Sequence, residues 1–193
     1  MQSVCVFCGS STGSNAAYTK AAHSLGTTLA EANIRLVFGG GHVGLMGEIS
    51  NAAIAAGGDV IGVIPKFLVE RELAHEGLSD LRIVGSMHER KALMSDLSEA
   101  FIALPGGTGT LEEFFEVLTW AQLGEHKKPY GLLNVAGYYD PLLTVFDRMV
   151  EAGFLSESNR AFLLVEGDAE RLLQRFDHYE PPKTAKWLDR SET

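Results

Sequence analysis

Short runs of β-branched, aromatic and other apolar residues alternate along this chain with longer stretches of helical character. The apolar runs are predicted to be strands at 4–7, 35–38, 59–64, 81–84, 100–104, 130–134 and 162–165. Helices are predicted at about 15–32, 86–98, 141–152 and 169–176, with two more that follow glycine-rich loops and end near 56 and 123. This alternation is typical of βαβ units, so we predict an α/β protein with a doubly wound, mostly parallel sheet and helices on both faces.

The length and composition suit one globular domain. The chain has 193 residues, of which 46% are hydrophobic and 21% charged, and no linker or repeat divides it. We therefore predict a single domain over 1–178. The stretch 179–193 is rich in proline and charge and is predicted to be a loose tail.

The charge and the apolar pattern exclude several classes of partner. A net charge of −9 disfavours nonspecific binding to nucleic acid, although a small anionic ligand needs only local cations and backbone amides. No run of about 18 apolar residues is present, so neither a transmembrane helix nor a membrane partner is expected. The residues after Met1 lack the basic region of a signal peptide, and the cytoplasm is the expected location.

Cys5 and Cys8 have the spacing of a metal-binding or redox pair. They fall within residues 2–8, which have the character of an extended strand, and residues three apart in a strand point to opposite faces of the sheet. The chain has no second pair of this kind to complete a zinc site. We therefore predict two small buried hydrophobic residues and no bound metal.

Three loops containing glycine follow predicted strands, at 9–13, 39–47 and 105–110. The carboxyl ends of parallel strands meet at one edge of the sheet, where ligands bind in such folds. A helix that starts just after such a loop offers free N–H groups to a phosphate. The alternative is that the glycines only allow tight turns. Three such loops at one edge favour an anionic ligand.

The second loop also matches the dinucleotide-binding pattern G-x-G-x-x-G, with Gly39, Gly41 and Gly44. That pattern usually follows the first strand and requires an acidic residue at the end of the next strand. Here it follows the second strand, and the next one ends in Ile64-Pro65-Lys66. An oxidoreductase with a nicotinamide or flavin is therefore the weaker alternative, and no cofactor is expected.

Charged residues near two predicted helix starts have two interpretations each. Arg90 and Lys91 are a surface pair on their own, although a bound anion would explain two cations at a site that the helix dipole disfavours. Glu113 could act as a carboxylate in catalysis. Alternatively, it could form a capping box with Thr110, in which its side chain folds back onto the helix start.

Three motifs together resemble the LONELY GUY family of cytokinin riboside 5′-monophosphate phosphoribohydrolases. They are GGGxVGLMG at 39–47, MHxRK at 87–91 and PGGxGTxxE at 105–113. The resemblance extends from residue 4 to about 154. It implies a Rossmann-like fold, a homodimer, and AMP or an N6-prenylated AMP as the small-molecule substrate. Thr108 stands where many members have an aromatic residue.

The resemblance also implies roles for individual residues. Its catalytic arginine and glutamate correspond to Arg90 and Glu113. Its substrate-binding positions correspond to Ser11, Gly41, Met46, Glu72, Met87, Lys91, Gly106, Gly107, Thr108, Gly109 and Thr110.

Cleavage of an N-glycosidic bond develops positive charge on the sugar and negative charge on the leaving base. We expect the Glu113 carboxylate to stabilise the sugar or activate water. Arg90 stays protonated, so we expect it to act by position and charge rather than as an acid. Because a cation at a helix start contributes little stability, Arg90→Ala is expected to leave the fold intact. The alternative function is a carrier that holds a phosphorylated ligand without turnover.

Overall fold

The computed structural model describes residues 1–71 and 73–181, which form one seven-stranded sheet with helices on both faces. The strands are β1 Ser3–Phe7, β2 Arg35–Phe38, β3 Val60–Pro65, β4 Asp80–Val84, β5 Ala100–Ala103, β6 Tyr130–Leu133 and β7 Leu164–Glu166. The α-helices are α1 Ala16–Glu31, α2 Gly44–Ala55, α3 Lys66–Val69, α4 Met87–Asp96, α5 Thr108–Leu123, α6 Asp140–Glu151, α7 Glu157–Ala161 and α8 Ala169–Asp177. A 3₁₀ turn, Val135–Gly137, links β6 to α6.

The strand order is β4-β3-β2-β1-β5-β6-β7, and all six pairings are parallel. Strands β2, β3 and β4 extend the sheet on one side of β1, and β5, β6 and β7 extend it on the other side. In this topology a crevice opens at the carboxyl ends of the two central strands. The predicted fold class is therefore confirmed, and the loops after β1 and β5 face each other at the expected place.

The two faces of the sheet are covered by different helices. One layer packs α1, α2 and α8 against the sheet, and the other packs α4, α5 and α6. Cys5 belongs to the second layer and Cys8 to the first, so they do point to opposite faces. Burial raises the pKa of both thiols. Both thiols are free, buried and protonated. The prediction that Cys5 and Cys8 are small buried hydrophobic residues is confirmed.

The differences from the predicted elements are confined to short segments. The sequence did not predict α3, α7 or the 3₁₀ turn, and the predicted strand at 162–165 begins two residues later, at Leu164. The Ser156 side chain accepts a bond from Asn159 N at 3.1 Å and starts α7, which extends to Ala161. In the predicted tail, Tyr179 packs its ring edge-on against Phe162, and 182–193 lie outside the described residues. The boundary at 178 stays a prediction.

No helix in the described part of the chain combines the length and the apolar character needed to span a bilayer.

Candidate active site

A cleft of about 400 Å³ lies at the carboxyl edge of the sheet, in front of β1, β2 and β5. It is bounded by the loops after these strands and by the first turns of α4 and α5. Most of the predicted site residues line it: Gly41, Met46, Met87, Arg90, Gly107, Thr108, Gly109, Thr110 and Glu113. Ser11, Lys91 and Gly106 lie next to the cleft without lining it, and Glu72 lies outside the described residues.

The three glycine-bearing loops are bonded to one another. Gly9 N donates to Pro105 O at 3.1 Å, and Leu45 N donates to Gly9 O at 3.0 Å. Gly44 has a φ of +59°, and a Cβ there would collide with the backbone of Ser10 and Ser11. Glycine is therefore required at this close approach. The expectation that the loops meet at one edge is confirmed.

The start of α5 presents free backbone donors to the cleft. Gly107 is the N-cap, and the first helical bond runs from Leu111 N to Gly107 O at 3.2 Å. The amides of 106–110 find no acceptor within 1–71 and 73–181. Such amides, together with the positive end of the helix dipole, form a site for an anion such as phosphate.

The structure rules out the alternative interpretation of Thr110 and Glu113 as a capping box. The helix begins two residues before Thr110, and its N-cap is Gly107, which has no side chain to accept a bond. Thr110 lies inside the first turn, is buried, and packs against Gly106. The Glu113 side chain is therefore free for a different contact.

That contact is an ion pair with Arg90. The Arg90 Nη1 and Glu113 Oε1 atoms are 3.2 Å apart, and the two side chains are 10% and 11% exposed. Arg90 also donates from Nε to Val63 O and from Nη2 to Gly39 O, each at 3.1 Å. The interpretation of Arg90 as a surface residue is thus wrong. Its guanidinium is buried in the cleft wall with all three nitrogens engaged.

The glycine-rich loop after β2 makes room for this guanidinium. A Cβ on Gly39 would collide with Arg90 Nη2. Gly39 therefore serves to bring a backbone carbonyl against the arginine, in addition to any role in ligand binding. No local sequence pattern indicates this pairing, because the two residues are 51 positions apart.

Burial dominates the electrostatics of Glu113. Desolvation raises the pKa of its carboxyl, and the nearby Arg90 guanidinium lowers it by less, so the pKa stays above its usual value. A carboxyl with a raised pKa in a cleft is a frequent property of catalytic groups. Such a carboxylate is a stronger base than an exposed one.

Lys91 is held away from the cleft by two carboxylates of α5. Its Nζ lies 2.5 Å from Glu112 Oε1 and 3.1 Å from Glu116 Oε1, and its side chain is 10% exposed. Burial alone lowers the pKa of Lys91, but the hydrogen bonds to both glutamates raise it overall. Lys91 therefore fixes α4 against α5. Its role as a substrate contact, which the resemblance implies, stays a prediction.

Apolar side chains form the remaining wall of the cleft, and most of them were not predicted. Ile64 lies near the end of β3, Leu68 lies in α3 and Leu73 follows α3, and they join Met46 and Met87. Leu68 and Leu73 come from the irregular stretch after β3, where no periodicity singles them out. They give the cleft a surface suited to a flat or branched apolar group.

No group of three His, Cys, Asp or Glu side chains within 1–71 and 73–181 is arranged to hold a metal ion.

The chain is similar over most of its length to known plant proteins. Cytokinin riboside 5′-monophosphate phosphoribohydrolase LOG1 of Arabidopsis thaliana is 53% identical over 178 residues, which are 92% of this chain and 84% of that protein. The phosphoribohydrolase LOG of Oryza sativa subsp. japonica is 52% identical over 178 residues, 92% of this chain and 74% of that protein. The chain belongs to the LONELY GUY family. A family model described as possible lysine decarboxylase also matches residues 46–176.

Solved structures agree with this family at the level of the fold. The molybdenum cofactor binding protein of Rippkaea orientalis superposes with a TM-score of 0.69 at 22% identity, covering 92% of this chain and 96% of that one. The molybdenum cofactor carrier protein of Chlamydomonas reinhardtii gives a TM-score of 0.68, also at 22% identity, with the same coverage. Both confirm the Rossmann-like architecture of this LONELY GUY family member.

Proposed function

We propose that this protein hydrolyses the N-glycosidic bond of cytokinin riboside 5′-monophosphates and of AMP, releasing the free base and ribose 5-phosphate. The observation that carries the proposal is the buried Arg90–Glu113 pair, which shares one cleft with the free amides at the start of α5. The plant relatives, at 52–53% identity, are named for this reaction on cytokinin riboside 5′-monophosphates.

Glu113 is the group that acts on the sugar. Its carboxylate lines the cleft, and its raised pKa makes it a better acceptor for a proton from an attacking water. Its negative charge also stabilises the positive charge that grows on the sugar as the bond breaks.

Arg90 stabilises the negative charge that develops on the leaving base, and it also positions Glu113. The guanidinium holds Glu113 in place while it remains bonded to two backbone carbonyls, so its position does not depend on substrate. Its fixed positive charge stabilises the electrons that leave with the base. Because arginine retains its protons, the base takes up its proton from another source, such as water.

The start of α5 binds the 5′-phosphate. Its free amides and the helix dipole attract an anion, and the phosphate provides binding energy far from the bond that breaks. The wall of Ile64, Leu68 and Leu73 then contacts the base and any apolar group on its N6 atom.

AMP and N6-isopentenyl-AMP should both yield free base, whereas adenosine and its N6-isopentenyl derivative should be much poorer substrates. Two hydrogen bonds from amides to a phosphate are worth about 3–6 kcal/mol, so kcat/KM for the nucleosides should fall by at least about a hundredfold. Chromatography of the released base measures all four rates and also decides which base is preferred. Equal rates with and without the phosphate would remove the α5 site from the mechanism.

A carrier that binds a phosphorylated ligand without turnover is the second candidate. The cofactor-binding neighbours share the fold, but at 22% identity they support nothing more. A carrier has no need for a carboxylate of raised pKa beside its ligand, so Glu113 favours hydrolysis. Release of adenine from AMP distinguishes the two functions.

The proposed enzyme is a homodimer, as the family resemblance implies. Several large apolar side chains of the described chain are exposed and available for a subunit contact, among them Leu123 at 57% and Phe154 at 82%. Light scattering should give about twice the chain mass of 20.9 kDa. A single-chain mass at micromolar concentration would contradict the dimer. A cytoplasmic location without nucleic-acid or membrane partners stays a prediction.

A further inference from the structure

Three consecutive backbone carbonyls in the loop between β5 and α5 each accept a hydrogen bond from another part of the chain. The carbonyls of Leu104, Pro105 and Gly106 accept, in that order, from Tyr139 Oη at 2.6 Å, Gly9 N at 3.1 Å and Tyr138 Oη at 2.5 Å. Gly9 belongs to the glycine loop after β1. The two tyrosines do not line the cleft and have no part in the mechanism described above.

Fixing a carbonyl also fixes the amide that shares its peptide group. A trans peptide is planar, and its C=O and N–H bonds point in opposite directions. The bond from Tyr138 to the Gly106 carbonyl therefore sets the direction of the Gly107 N–H, and the bond from Gly9 to Pro105 sets that of the Gly106 N–H. Both amides are among those with no acceptor within the described residues. Glycine at 106 and 107 would otherwise let these peptide groups rotate.

The tyrosines are themselves fixed by the turn that precedes α6. Asn134 donates from Nδ2 to Asp140 Oδ1 at 2.7 Å and accepts from Tyr139 N, also at 2.7 Å. Ala136 has a φ of +52°, a conformation that costs energy for a residue with a Cβ. The turn keeps this conformation and directs both rings at the loop. Burial raises the pKa of Tyr139, so its hydroxyl stays protonated and can donate.

We propose that Tyr138 is a positioning residue for the phosphate site, which holds the Gly107 amide in the direction that an anion requires, and that Tyr139 supports it by anchoring the start of the same loop. The inference rests on the proposed function only for the identity of the anion. Tyr138 carries the direct effect, because its bond fixes the peptide group next to the helix start. Tyr139 anchors the carbonyl of Leu104, which is followed by Pro105 and therefore controls no amide.

The test is Tyr138→Phe, which removes one hydroxyl and keeps the ring. The Kd for ribose 5-phosphate, measured by calorimetry, should increase about tenfold, the scale of one hydrogen bond to a charged group. KM for AMP should rise by a similar factor while kcat changes less. The low kcat/KM for adenosine should stay the same, because adenosine carries no phosphate.

Tyr18→Phe is the matched control. Its ring packs edge-on against Tyr138 with a centroid distance of 5.5 Å, and its hydroxyl has no hydrogen-bond partner in the described chain. This variant should bind ribose 5-phosphate as the unmodified protein does. Tyr139→Phe should lower the melting temperature, because the bond to Leu104 is buried, and should weaken phosphate binding less than Tyr138→Phe.

An unchanged Kd for ribose 5-phosphate in Tyr138→Phe would overturn the inference, because the hydroxyl would then have no effect on phosphate binding. An equal loss of AMP and adenosine turnover would also overturn it, because it would indicate a general disruption of the site. Absence of ribose 5-phosphate binding by the unmodified protein would also overturn it. If the unmodified protein binds ribose 5-phosphate without hydrolysing AMP, and Tyr138→Phe weakens that binding, the positioning role stands and the hydrolase proposal fails.

Discussion

Arg90→Ala should nearly abolish turnover and lower the free energy of unfolding by about 3–5 kcal/mol, the cost of breaking a buried ion pair by removing one partner. The substitution leaves Glu113 without its counter-ion in a site that is about nine-tenths buried, and it removes a donor from the carbonyls of Val63 and Gly39. Urea denaturation and chromatography of released adenine measure the two losses separately. The sequence-based expectation of an intact fold assumed an exposed helix start, and burial of the guanidinium changes it.

Two further variants separate the burial of Arg90 from general effects of losing an arginine. Arg82→Ala removes an arginine that is 40% exposed and paired with Asp80. The free energy of unfolding of this variant should differ from that of the unmodified protein by less than about 1 kcal/mol. Combining Arg90→Ala with Glu113→Gln should recover part of the lost stability, because no unpaired carboxylate then remains. Arg90→Ala that unfolds at the same urea concentration as the unmodified protein would show that the pair adds nothing to stability.

The fold followed from the sequence because its strands are short, continuous apolar runs. Val4 is buried on one face of the sheet and Phe101 on the other, and runs of this kind stand out between polar loops. Helices α3 and α7 have only four and five residues, which is too short for a helical period to appear. The order of the strands depends on which of them pair in space, which local patterns do not contain.

The site was predicted in part, and the missing part consists of contacts between distant segments. The resemblance to the family identified Arg90 and Glu113 through the motifs at 87–91 and 105–113. They could not show that Arg90 reaches Val63, 27 positions away, or that Lys91 bonds to α5 rather than facing the cleft. The capping box failed for a local reason, because Gly107 took the N-cap and moved Thr110 into the first turn.

Glu113→Gln should lower turnover by on the order of a hundredfold or more, the effect of removing one electrostatic contact to a transition state. Gln has nearly the same shape and keeps an oxygen that can accept from Arg90, but it has no charge and cannot take a proton from water. Stability should change little. The neutral side chain of the variant loses the attraction to Arg90, but it also avoids the cost of burying a charge, which raises the pKa of Glu113. The two effects offset each other. The melting temperature should therefore stay within a few degrees.

The pH dependence gives Glu113 a second signature. Its raised pKa means that the acid limb of kcat/KM should lie above the usual range of a glutamate, with activity falling as the pH drops through that pKa. The same shift means that the folded state binds this proton more tightly than the unfolded state. This contribution to stability is complete below the unfolded pKa and is lost as the pH rises through the folded pKa. In Glu113→Gln both dependences should disappear.

Glu116→Gln is the appropriate control for Glu113→Gln. Glu116 lies on the same helix, pairs with Lys91 at 3.1 Å and does not line the cleft, whereas Glu112 does. The control variant should retain turnover within a few-fold, because Glu112 continues to hold Lys91. If Glu113→Gln is as active as Glu116→Gln and keeps its acid limb, the carboxylate of Glu113 is structural. The reaction would then need a base other than this one.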